Sequence, residues 1–245
     1  MIGALDSILI TACIVLAMMT IERFKPLHYY QRDTWWIIRL GVLGIFGISL
    51  TSITGAYLLP VFGQATLFPT LTRYFAKLPY WLNGFIGYFC ISFFIYWWHR
   101  LRHHSDLMWK IFHQIHHSTY RLEALTALYA HPSDFVANTV MINIVCYCLL
   151  GFDVYSATWA ALWVGVFEFW EHTNVKTPHW LGYIIVRPEM HRIHHERNRH
   201  LNNYGLPIWD LIFGTYENSS RTVECGFPIE SEKKLVEMLG GKAVE

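Results

Sequence analysis

Residues 112–132, FHQIHHSTYRLEALTALYAHP, place His113, His116, His117 and His131 in one stretch. The spacing H-x-x-H-H returns at residues 190–200, MHRIHHERNRH, as His191, His194 and His195. Residues three and four apart lie on one face of a helix, so each triplet presents three imidazoles to the same side. His99 and His103, in HRLRHH, form a further i,i+4 pair, and His172 closes an apolar run in EHTN. The fold has to bring these groups together.

Packing many neutral imidazoles side by side leaves donors and acceptors unpaired, and protonating them stacks like charges. Metal ions resolve both problems, because neutral imidazole binds Zn, Fe, Cu and Ni. One tetrahedral zinc takes four ligands, so eight to ten candidate histidines imply two metals. On a straight helix His99 and His113 would stand about 21 Å apart, too far for one compact site. The chain is therefore predicted to break in HSDLMWK, with Ser105 or Asp106 capping a new helix. His28, His179 and His200 read as surface or hydrogen-bonded residues, and His104, about 100° around the helix from His103, faces away.

The rest of the chain says where such a site would sit. Its 245 residues are 53% hydrophobic and only 15% charged, with eleven Trp and a net charge of +1. That balance suits a membrane protein with interfacial aromatics better than a soluble domain, and gives no sign of nucleic-acid binding. Cys13, Cys90, Cys146, Cys148 and Cys225 form no CxxC pair and read as small hydrophobes. Apolar runs cover residues 4–21, 40–62, 80–98, 135–152 and 155–170, lengths near the ~20 residues a bilayer needs. The first lacks a basic leader and a cleavage site, so it reads as a retained span. The last two, joined by DVY, read as a tight helical hairpin that crosses or dips into the membrane. Seventeen of the nineteen Lys and Arg fall on the side holding the histidines, which the positive-inside rule makes cytoplasmic. The predicted fold class is all-α: a multi-pass transmembrane helical bundle of about four to five segments, with a cytoplasmic helical cap carrying a histidine-rich di-metal site. Residues 1–79 would be N-terminal membrane helices with an interfacial segment, 80–217 the catalytic domain and 218–245 a tail. In that tail SEKKLVEMLGG reads as one short amphipathic helix, capped by Ser231 and stopped at Gly240 and Gly241.

Other templates are missing. There is no HExxH, since HERNRH is one residue too long, and no E-x-x-H, GxSxG, Walker A loop or dinucleotide fingerprint. A bis-histidine haem would need facing histidines within the bilayer, whereas these lie at its edge.

The strings HRLRH, HQIHHS, YAHPSD, EHTNVKTP, MHRIHH and NNYGLPIWDLIFGTY, spread over residues 80–217, resemble the fatty acid hydroxylase / sterol desaturase superfamily of integral-membrane, non-haem di-iron enzymes. The resemblance implies that His99 and His103 form a first histidine box, His113, His116 and His117 a second, and His191, His194 and His195 a third. It makes His172 a further ligand and His131, in the His-Pro motif, a candidate one. It casts Asn174 and Asp210 as hydrogen-bond partners of ligating imidazoles, with a structural cap near FGTY as the equal alternative for Asp210. It further implies two Fe ions, sites that also accept Zn, with O2 as co-substrate and hydroxylation or desaturation of a lipid C–H bond in a fatty acyl, sterol or related lipid. Electrons would come from a separate donor, a ferredoxin or a b-type cytochrome with its reductase, because no such module is fused here. Phe85, Phe89, Tyr96, Trp97, Trp163 and Phe167 are candidates to line a lipid route. The competing reading is a histidine-rich membrane zinc-binding or transport protein. It is disfavoured because a transporter would place its ligands near the midplane, where this sequence offers only Ser92, Asn138 and Asn143.

Overall fold

The computed structural model describes residues 4–63 and 65–244; among them the regular structure is helical, joined by turns and irregular segments, with a single bridge between Glu196 and Cys225. The long helices are α1 (Ala4–Phe24), α2 (Thr34–Phe62), α4 (Tyr80–His104), α7 (Pro132–Asn143), extended by a π-helical turn (Ile144–Leu149), and α8 (Val154–His172). The short α3 (Pro69–Phe75) links α2 to α4. Asp33 starts α2 by accepting the N–H groups of Trp35 and Trp36, and Asp153 does the same for α8 with Tyr155 and Ser156. Such caps satisfy orphan amides of a first turn. Between α7 and α8 the chain reverses through Gly151, whose φ of +64° lies in the left-handed region that glycine adopts without penalty. This is the expected hairpin.

Two helical stretches, Thr34–Phe62 and Pro132–Leu149, are long and apolar enough to cross a membrane by length and composition, and α2 has only 22% of its most apolar window buried. α4 and α8 have comparable length but are rich in Trp and Tyr and end in His, Arg and Glu, which lowers their mean hydropathy. Leu16, Val42, Ile45, Ile53, Tyr57 and Phe85 are all more than half exposed. An apolar surface of this extent is one that a membrane covers. α4 packs on α8 along most of its length, α2 on α7 and α1 on α8. Gly84 allows the first contact: a Cβ there would collide with the side chain and backbone of Trp159, as small residues do where membrane helices approach closely.

The bundle has two ends. At one, Phe75, Ile91, Cys146, Phe152 and Ala160 form a buried cluster. At the other, Trp36, Leu40 and Leu43 of α2 pack against Ile115 and Tyr129 of a helical cap and against Phe227 and Met238 of the tail. The cap comprises α5 (Asp106–Met108), a π-helical turn (Trp109–His113), α6 (Gln114–Ser118), a 3-10 turn (Ala124–Leu128), another (His179–Tyr183), α9 (Pro188–His194) and α10 (Pro207–Phe213). The predicted break after α4 is present, with Ser105 extended and its Oγ accepting the N–H of Met108. The tail differs from its prediction. It forms two helices, α11 (Ile229–Glu232) and α12 (Leu235–Leu239), because Pro228 starts the first and Lys234 leaves helical geometry. Ser231 therefore lies inside α11, whereas Gly240 does follow α12.

Candidate metal centre

Five elements converge in the cap. The end of α4 delivers His99 and His103, the π-turn and α6 deliver His113, His116 and His117, α8 ends on His172, and α9 delivers His191 and His194 with His195 directly after it. All nine are buried except His103, which is partly so. They sort into two groups within which the candidate ligand atoms lie within 4.8 Å of one another: His99, His103, His113, His117 and His194, and His116, His172, His191 and His195.

The two triplets divide crosswise. In the first, His113 and His117 join the five-histidine group and His116 the other; in the second, His191 and His195 join the four-histidine group and His194 the other. Helical geometry explains this. At 100° per residue, positions i and i+4 are about 40° apart while i+3 falls about 60° to the other side. Each triplet thus straddles the line between two centres.

Backbone carbonyls fix three of the rings. Tyr204 O accepts from Nδ1 of His99 (2.8 Å), Asn202 O from His194 (2.7 Å) and Glu168 O from His172 (2.7 Å). A carbonyl only accepts, so Nδ1 carries the proton and the Nε2 lone pair faces the group. In the four-histidine group the Nε2 atoms of His172 and His116 are 3.1 Å apart, those of His191 and His172 2.9 Å, and those of His195 and His191 3.1 Å. Four nitrogens about 2.0–2.1 Å from a tetrahedral ion lie roughly 3.4 Å apart, close to this spacing. Buried Nε2 atoms of His99, His103, His117 and His194 have no hydrogen-bond partner among the described residues. Nine imidazoles whose ring nitrogens converge in two groups fit two metal ions.

Burial pushes the His113, His117, His191 and His195 pKa values well below the ordinary imidazole range, with nearby charges reinforcing it. Burial also takes His194 down to about 3, against the pull of the Asn202 carbonyl. The rings are therefore neutral at pH 7, the form that binds metal.

Arg102 and Asp134 form a buried ion pair, with Nη1 2.7 Å from both carboxylate oxygens. They line a cavity of about 60 Å³ with His99, His113, His116, His191, Glu168 and Glu171. A second, of about 40 Å³, shares His99, Glu168 and Glu171 and runs between α4 and α8 past Tyr88, Ser92, Ile95, Val164 and Phe167.

The remaining candidates fall elsewhere. His131 stands apart from both groups: its Nδ1 accepts the N–H of Ser133 at the start of α7, and its Nε2 lies 3.3 Å from Leu239 O. Asn174 touches no ligand ring. It pairs through its amide with the backbone of His28 and fastens the chain after α1 to the end of α8. Asp210 serves as the loop cap: its carboxylate accepts from the N–H groups of Tyr204 and Gly205 and the Thr215 hydroxyl. Of the proposed lipid-route residues only Phe167 lines the cavity; Phe85, Phe89 and Trp97 point outward, and Tyr96 is fully buried with its hydroxyl on Thr215.

Three features escaped the sequence. Glu168 and Glu171 precede His172 on adjacent turns, and their i,i+3 spacing was the available signal. Glu171 Oε1 lies 3.5 Å from His191 Nδ1. His200 is buried, with Nδ1 3.1 Å from Nδ1 of His117 and its ring against Trp109. No helical spacing links it to the triplet, because α9 has already ended.

The model of the fatty acid hydroxylase family matches residues 84–215, more than half of the chain. Alkylglycerol monooxygenase of Homo sapiens is 33% identical over 155 residues, 60% of this chain and 32% of that protein. Ornithine lipid hydroxylase OlsE of Rhizobium tropici is 32% identical over 143 residues, 56% of this chain and 42% of that protein. Very-long-chain aldehyde decarbonylase GL1-5 of Oryza sativa subsp. indica is 28% identical over 171 residues, 60% of this chain and 26% of that protein. The matched region spans less than half the length of each of these relatives. No solved structure matches the chain.

Proposed function

The chain belongs to the fatty acid hydroxylase family, and on that footing we propose that it is a membrane oxygenase that hydroxylates a C–H bond of a lipid. The observation that carries this reading is the pair of histidine groups, within each of which the candidate ligand nitrogens lie within 4.8 Å of one another. Two irons held there would supply O2 activation and C–H oxidation. In the overall reaction the lipid carbon gains one oxygen atom as hydroxyl and the other leaves as water, with two electrons and two protons supplied from outside. The names of the relatives from Homo sapiens and Rhizobium tropici, a monooxygenase and a hydroxylase, favour hydroxylation over desaturation.

In this reading α1, α2, α4, α7 with its π-helical extension, and α8 cross the membrane, and the cap faces the cytoplasm, the side rich in Lys and Arg. A separate electron-donor protein, a ferredoxin or a b-type cytochrome with its reductase, approaches there. The lipid enters between α4 and α8, where the stacked rings of Tyr88 and Phe167 (4.6 Å between centroids) flank the cavity leading to His99. Narrow walls of Ile95 and Val164 orient the chain and keep water out. The backbone carbonyls behind His99, His172 and His194 hold protons on Nδ1, and Arg102 neutralises Asp134 beside the centre.

Metal analysis of protein purified in mild detergent from iron-supplied cells tests the reading. Two irons per chain, falling towards one on replacing His116 by Ala, are expected. A product that takes up one oxygen atom from labelled O2 in the presence of a reductase would then identify the lipid. One zinc per chain, with no iron, would transfer the site to the zinc-binding or transport reading.

A further inference from the structure

One loop, residues 196–205, supports three of the five rings in the five-histidine group. Asn202 O accepts from His194, Tyr204 O accepts from His99, and the His200 ring meets Nδ1 of His117. The four-histidine group is supported from α8: the carbonyl of Glu168 accepts from His172, and the Glu171 carboxylate stands 3.5 Å from Nδ1 of His191.

The loop holds an uncommon conformation. Asn198, His200, Asn202 and Asn203 all have positive φ, at 61°, 41°, 68° and 49°. Left-handed backbone is unfavourable for any residue with a Cβ, least so for Asn, and it persists where the surroundings over-determine it. Two buried side chains do so here. Asp210, wholly buried, takes the N–H groups of Tyr204 and Gly205. Asn203, 1% exposed, donates to the carbonyls of Met190 and Glu217 and accepts the N–H of Glu217, while its own N–H goes to Thr215 O. Both direct their bonds to backbone at positions that set where the Asn202 and Tyr204 carbonyls point. Met190 itself directly precedes His191, so Asn203 also ties the loop to α9.

We infer that residues 196–205 are a brace dedicated to one of the two metal positions, with Asp210 as a positioning residue that tunes the five-histidine site without tuning the other. This rests on the two-metal reading. It gives the NNYG and WD strings a physical role, since Asn202 and Tyr204 orient imidazoles through their carbonyl oxygens and Asp210 holds the backbone that carries them.

Zinc titration of the chelator-stripped full chain in detergent, against a competing chelator, provides the test. Removing partners that orient ligating imidazoles typically weakens metal binding about 10–100-fold. Asp210→Ala is introduced into two backgrounds. In one, His116→Ala and His172→Ala empty the four-histidine group; in the other, His103→Ala, His113→Ala and His194→Ala empty the five-histidine group. The expected result is a loss of about 10–100-fold in the first background and an unchanged affinity in the second. Asp210→Asn, which keeps an acceptor oxygen, should recover part of the loss. Equal weakening in both backgrounds, or in neither, overturns the inference. If the Asp210→Ala chain fails to fold, His200→Ala carries the same cross, with its loss again confined to the first background. Fewer than two zinc ions on the unsubstituted chain would instead sink the two-metal reading itself, which separates the two failures.

Discussion

The five-histidine and four-histidine groups draw on the same two triplets, yet they are held in different ways. The four-histidine group leans on α8, through a carbonyl one turn before His172 and a carboxylate directly before it in sequence. The five-histidine group leans on a loop, fixed by Asp210 and by the distant Thr215 and Glu217. One support is local and regular and comes with helix geometry; the other has to be assembled from contacts across the cap. Disturbing α8 should therefore act on one group, disturbing the loop on the other, and disturbing what both share should act on the whole site.

The largest effect is expected where a ligand itself is removed. His194→Ala, in the five-histidine group, and His116→Ala, in the four-histidine group, should each reduce lipid oxidation to background while metal per chain falls from two towards one. Circular dichroism and detergent gel filtration should show a folded protein in both cases. Full activity in either variant would break the equivalence of the two groups.

Metal removal should next expose a pH dependence that both groups share. The His194 pKa is lowered to about 3 by burial, whereas an unfolded imidazole titrates near 6.5. Below that value the unfolded chain takes up protons that the folded chain refuses, so stability is full above pH 6.5 and falls with acidification until the folded pKa is reached. Each such histidine contributes up to about 1.4 kcal/mol per pH unit in that window. Chelator-treated protein should thus melt at markedly lower temperature at pH 5 than at pH 7.5, and the metal-loaded protein should resist the change. A flat profile for the stripped protein would mean that its rings are not packed neutral.

Arg102 lines the cavity beside both groups and forms a buried pair with Asp134. Breaking a buried pair by removing one partner costs about 3–5 kcal/mol, because the other charge is left uncompensated. Arg102→Ala should lower the thermal midpoint accordingly, and Arg102→Met combined with Asp134→Leu should restore much of it. Glu171 sharpens the contrast between the groups. Glu171→Ala should weaken metal binding about 10–100-fold at the four-histidine site alone, and Glu171→Gln less, as read by the same zinc titration.

The contrast between local and assembled support also marks what the sequence could disclose. Histidines at i, i+3 and i+4 on short helices announce a shared face, so the triplets, the His99–His103 pair and the break at Ser105 could be read directly. Apolar runs located all five long helices for the same reason, since burial against lipid or protein imposes composition over many residues. The brace was not legible in this way. His200 reaches His117 only because the chain turns left-handed after α9, and Asp210 acts through two backbone amides rather than through any spacing with a ligand. Asn174 misled because the resemblance casts it as a partner of a ligating imidazole, while its amide faces the chain that follows α1. The tail was read as one helix because amphipathic spacing runs across Lys234, where the backbone departs from helical geometry.

His131 gives the smallest expected effect and the sharpest separation between a histidine that belongs to the groups and one that neighbours them in sequence. Both of its nitrogens are engaged: Nδ1 accepts the Ser133 N–H that opens α7, and Nε2 faces the carbonyl ending α12. An imidazole used in this way has no lone pair left for a metal. Asn is a good substitute at a helix N-cap and Ala a poor one, with about 1 kcal/mol between them. His131→Asn should therefore be nearly silent and His131→Ala mildly destabilising in thermal unfolding, and neither should change the two metals per chain. A metal lost in His131→Asn at undiminished stability would instead return His131 to the ligand set and require the start of α7 to rearrange when the site is filled.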